Sequence, residues 1–77
     1  MNKEQRKRLN ELIEQVEDIA TEIQEMADEE QEKYDNMPES LQSSERGEAI
    51  SDAADSLQMA YDDLSNWCDE TRGNLEI

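Results

Sequence analysis

Histidine is missing from all 77 residues of this chain. With it go the commonest zinc ligand, the usual general base near neutral pH and the Glu-x-x-His half-site of a bundle di-iron centre. A single cysteine, Cys68, excludes an intrachain disulfide and fits a reducing compartment. Only two glycines, Gly47 and Gly73, leave no glycine-rich loop to cradle a phosphate. Long apolar runs are absent too. The first residues, "MNKEQRKRLN", carry bases with no apolar segment behind them, so neither a signal peptide nor a membrane anchor is expected. Positive charge is scarce: seven Lys and Arg stand against 22 Asp and Glu, a net charge of -15. These absences point to a cytoplasmic protein without cofactor, metal or catalytic residue.

The residues that are present must first overcome their own composition. With 34% hydrophobic and 38% charged residues the chain approaches the signature of disorder, and only a strict apolar pattern rescues folding. A chain this short also buries a small share of its surface, so a partner copy is expected to complete its core.

The pattern exists. Leu9, Val16 and Ile23 recur every seven residues; Leu12, Ile19 and Met26 come three later; Ile13, Ala20 and Ala27 widen the stripe. In heptad terms positions a, d and e are apolar, which predicts a helix from about residue 2 to about residue 35. Glu30 and Lys33 occupy the next a and d positions and loosen the far end. In the connector, residues 36–44, Pro38 stops the first helix and can open a short helical turn through Leu41, with Ser43 or Ser44 capping the second helix. The rhythm returns with Ile50, Leu57 and Leu64 at a, Ala53, Ala60 and Trp67 at d, and Ala54, Tyr61 and Cys68 at e. That second helix is predicted over about residues 45–72, ending near Gly73.

The expected fold is therefore all-α and a single domain over residues 1–77: a two-helix antiparallel hairpin, with stripes too wide for one partner helix to cover. A homodimer completes it as a four-helix bundle or coiled coil, with Leu9, Leu12, Val16, Ile19, Ile23, Ile50, Leu57, Leu64 and Trp67 as core and dimer contacts. Ala53, Ala54 and Ala60 permit close approach, while Trp67 and Tyr61 fill the end that meets Leu9 and Leu12.

The stretch "EKYDNMPESLQSSERGEAISDAADSL", Glu32 to Leu57, and above all its "DNMPESLQSSERGE" portion, resembles a segment of short acidic proteins from bacteriophages and prophages. The resemblance covers about a third of the chain. It implies a bacterial cytoplasm and a phage context, and brings no catalytic residue and no partner with it.

The carboxylates are ordered. Glu11, Asp18, Glu25 and Glu32 share position c on the first helix; Glu14, Asp28 and Asp35 share f; on the second helix Glu48, Asp55, Asp62 and Asp69 share f. Leu9 to Glu32 holds ten acids, Gly47 to Thr71 holds seven, and neither holds a base. On a rod roughly 36 Å long that is one charge per roughly 2 Å, against roughly 1.7 Å in duplex DNA. The stripes can thus imitate a nucleic-acid backbone before a basic partner. They also fit a plain solvated helix face that keeps a small protein apart from its neighbours. Against that second reading, the helices forgo the i,i+4 Glu to Lys pairs that ordinary surfaces use, each worth roughly 0.2–0.5 kcal/mol.

Other chemistry is weak. Lys3, Arg6, Lys7 and Arg8 lack interleaved aromatics, so direct nucleic-acid binding is not expected; pairing with acids at the other end of the hairpin, such as Asp69 and Glu70, or in a second subunit is. Asp62 with Asp63, or Asp28 to Glu30, do not match a calcium loop. Cys68 sits at an apolar position without an imidazole and reads as a small buried hydrophobe. The leading expectation is a non-enzymatic phage inhibitor of a basic host nucleic-acid-binding defence protein, such as a restriction or CRISPR nuclease. The alternative is a structural or adaptor coiled coil that binds another protein through its connector or apolar seam. A third reading leaves the helices disordered until a partner neutralises them.

Overall fold

The computed structural model describes residues 1–75. Helix α1 spans Lys3–Asp35, α2 spans Glu39–Gln42 and α3 spans Glu45–Leu75. α1 opens on a reciprocal cap: Asn2 Oδ1 accepts the Gln5 N–H at 2.8 Å, and Gln5 Oε1 accepts the Asn2 N–H at 3.1 Å. Two backbone donors that a helix start normally leaves unpaired are satisfied together.

α1 ends before Pro38, as the ring's missing N–H and its constraint on the preceding residue require. The Asn36 N–H still reaches Glu32 O at 3.0 Å, and the Met37 N–H reaches Tyr34 O at 3.1 Å. Pro38, with φ of -57°, then leads into the short α2, and its carbonyl accepts the N–H groups of Leu41 and Gln42 at 2.8 and 3.1 Å. The connector therefore contains a third helix, which distinguishes the molecule from a plain two-helix hairpin. Ser44 joins α2 to α3: its Oγ donates to Leu41 O and accepts the Gly47 N–H at 3.2 Å. Gln42 Nε2 donates to Tyr34 O at 3.0 Å, tying α2 to the end of α1.

α3 continues through Gly73 to Leu75, beyond the predicted stop. Gly73 stands in open space with no left-handed φ, so nothing turns the chain there. Gly47 has the opposite role. It is buried in the first turn of α3, with the Leu41 and Gln42 carbonyls pressed onto its Cα.

α1 and α3 pack antiparallel. Cys68 Sγ, 1% exposed, points its S–H at Ile13 O at 3.9 Å, which sets Ile13 level with Cys68. By the helical repeat, Ala20 is then level with Tyr61 and Ala27 with Ala54. Among the described residues all the buried ones, Ile13, Ala20, Ala27, Gly47, Ala54 and Cys68, fall at position e. Leu9, Val16, Ile23, Ile50, Leu57 and Leu64 at position a are half-buried beside them.

The d positions differ from expectation. Leu12, Ile19, Met26 and Trp67 are 45–52% exposed, so Leu12, Ile19 and Trp67 do not serve as core of the hairpin. The a, d and e stripe is wider than one helix can cover, and the pair closes on its side of smallest residues, where backbones approach most closely. Trp67 does lie at the level of Leu12, but it faces outward. The result is a rod of 58 × 16 × 13 Å.

Candidate functional site

In an antiparallel pair closed on position e, equivalent heptad positions of the two helices flank the seam on the same side. The hairpin consequently has two unlike broad faces. One carries both sets of a and d side chains. The other carries both sets of b and f side chains.

The b and f face gathers the carboxylates. Glu14, Asp28 and Asp35 on α1 line up alongside Glu48, Asp55, Asp62 and Asp69 on α3, with axes roughly 8–10 Å apart. The c row of Glu11, Asp18, Glu25 and Glu32 runs along the outer edge of α1 on the same side. Every one of these candidate residues is exposed. Along each row a charge recurs every roughly 10 Å. Among the described acids only Glu17 and Glu30 are partly covered, and each is held by a base.

Positive charge is confined to the two ends. Lys3, Arg6, Lys7 and Arg8 are exposed at the free end of α1, and among the described residues none forms an ion pair with Asp69 or Glu70. Within the described residues the base that bridges α1 and α3 is Arg72. Its Nη1 and Nη2 donate to Glu17 Oε2 and Oε1 at 2.8 and 2.6 Å, and its Nε reaches Asn10 Oδ1 at 3.4 Å. The two-pronged bond to Arg72 holds the Glu17 carboxyl below its usual range and pushes the Arg72 guanidinium up. This clamp, which the heptad pattern does not reveal, ties the end of α3 to the first half of α1 because a planar guanidinium matches a carboxylate on both oxygens.

At the connector end, Lys33 Nζ lies 2.6 Å from Glu30 Oε1, and that hydrogen bond raises the lysine's pKa. Lys33 and Arg46 flank a groove of about 530 Å³ whose apolar lining is Met37, Pro38, Leu41 and Ile50. Lys33 and Arg46 occupy the d positions one heptad beyond Met26 and before Ala53, so the groove continues the a and d face.

Cys68 is unsuited to nucleophilic chemistry, since burial pushes its thiol up and Glu17 adds to the effect. Among the described residues no group of His, Cys, Asp or Glu is arranged to hold a metal ion. Among the described residues no helix is long and apolar enough to cross a membrane. Comparison with protein families, with curated proteins and with solved structures gave no match.

Proposed function

We propose that the protein is a non-enzymatic phage-encoded inhibitor, acting in the cytoplasm of a bacterial host. Its acidic face occupies a basic nucleic-acid-binding surface on a defence protein such as a restriction or CRISPR nuclease. The observation that carries this reading is the segregation of charge. Exposed carboxylates repeat along one face and the α1 edge beside it, with Glu22, Glu29, Asp63 and Glu70 at position g beyond them, while all seven bases sit at the rod's ends. A face of this kind attracts Lys and Arg over several contacts at once and speeds association at low salt. Two copies form the active particle, a four-helix bundle with the acidic faces outermost.

The second reading is an adaptor that binds another protein through apolar surface. The exposed Leu12, Ile19, Met26 and Trp67, together with the connector groove, favour it.

Affinity capture from bacterial lysate separates the two. Recovery of a basic nucleic-acid-binding protein that excess DNA displaces, and that a variant neutralised at Glu11, Asp18, Asp55 and Asp62 fails to hold, supports mimicry. A partner indifferent to DNA and salt but lost on Trp67→Ala supports the adaptor.

A further inference from the structure

We infer that a second copy of this chain covers the a and d face and lies head-to-tail, with the two connectors at opposite ends of the bundle. This deepens the proposed dimer and does not depend on what the acidic face binds.

The exposed area leaves room for a large partner. A compact monomer of 8.9 kDa exposes about 4,800 Å². This chain exposes 5833 Å². The excess of roughly 1,000 Å² matches the roughly 800 Å² that each side of a stable interface contributes. The uncovered face is also of one chemical kind. From Leu9 to Met26 and from Ile50 to Thr71 its a and d positions hold no charged residue, and its large exposed side chains recur every seven residues. A surface with the same repeat fills those spaces, and the chain's own face has that repeat.

Charge and volume choose the orientation. Two faces can be opposed by a two-fold axis along the rod or by one across it. With the axis along the rod, Lys33 of each copy meets Arg46 of the other, and four cations crowd one layer. With the axis across the rod at Ile19 and Ala60, α1 runs over α1 and α3 over α3, both antiparallel. Lys33 then lies level with Gln5 of the second copy. Arg8 and Glu30, at g and a on the borders of the covered face, stand equally far either side of Ile19, so a base of the first turns meets an acid at the connector end. Trp67 comes to face Ala53, and Leu12 faces Met26, so the largest side chain is set against a small one. The first turn of the second copy, beginning with the 57% exposed Met1, lies level with Met37 and roofs the connector groove.

The test combines mass with cross-linking on the full chain in about 0.15 M salt. Light scattering should give twice 8.9 kDa. On mild oxidation, Ile19→Cys alone should form a covalent dimer, and Leu12→Cys chains mixed with Met26→Cys chains should cross-link to each other, because a disulfide needs Cα atoms within roughly 7 Å. These substitutions are at exposed positions, so the hairpin's own seam is untouched. A chain that stays monomeric at every concentration overturns both the dimer and its geometry. A dimer in which Ile19→Cys chains cross-link only with Ala60→Cys chains overturns the head-to-tail arrangement and leaves the dimer standing.

Discussion

Gly47→Ala and Gly73→Ala are the same chemical change on the same helix, and they should move stability in opposite directions. A methyl group on Gly47 would sit 2.5 Å from Leu41 O and 2.7 Å from the Gln42 carbonyl carbon, and nearer still to Gln42 O. These are backbone atoms and cannot swing aside. To admit the methyl, α2 must retreat by roughly 1 Å, which strains the Ser44 contact to Leu41 O and the Gln42 bond to Tyr34 O. Overpacking of this kind costs about 1–3 kcal/mol, and each weakened hydrogen bond about 1 kcal/mol more. The gain in helix propensity offsets roughly 1 kcal/mol. A net loss of about 2–4 kcal/mol should lower Tm by roughly 8–30 °C in a chain of this size. At Gly73 nothing lies within 4 Å, so only the propensity gain remains. Part of it is lost to the short distance from the helix end, leaving a rise of at most about 5 °C. The assay is thermal and urea unfolding monitored by helix circular dichroism, at one protein concentration so that association does not contribute. A Gly47→Ala chain as stable as the parent would refute the packing of α2 onto α3.

Added salt should raise both helicity and Tm, since the acidic rows repel one another within the fold; a flat response between about 0.02 and 0.5 M would show that repulsion is negligible. Arg72→Met removes the Glu17 clamp. Because that carboxyl is held below its usual range when folded, its stabilisation is present above the ordinary carboxylate pKa and lost as pH falls through the lowered value. The Tm gap between Arg72→Met and the parent should therefore be widest near neutral pH and close on acidification; a constant gap would assign the effect to packing alone. Asn2→Ala should cost about 0.5–2 kcal/mol and fray the first turn, read as faster amide exchange over residues 3–6. Cys68 should react with a thiol reagent at least about tenfold more slowly in buffer than in urea, and equal rates would contradict its burial.

The seven-residue rhythm, with Pro38 and Ser44 as punctuation, made the two long helices legible, because periodicity and turn chemistry are local properties. The centre of the seam was less so. A stripe of a, d and e positions states how much of each helix is apolar, but not which part its neighbour takes. The deciding signal was present in the small residues at e: Ala20, Ala27, Gly47, Ala54 and Cys68 mark where two backbones can come closest. The Asn2 and Gln5 cap lay outside the heptad reading, although an Asn–Gln pair three apart is its local signal. The Arg72 clamp has no local signal, since it joins residues 55 apart in sequence and needs the register between the helices. Likewise the acidic rows could be counted in the sequence, but their gathering on one face came only from the rotation of the seam onto e.

Trp67 is the one tryptophan, and it stands on the open apolar face rather than in the seam. Its indole is therefore an intrinsic fluorophore only partly covered by formation of the hairpin, while anything that covers the face should shift its emission further to the blue. Backbone dichroism and tryptophan emission, recorded on one unlabelled sample, then separate the folding of a single chain from what that chain does next.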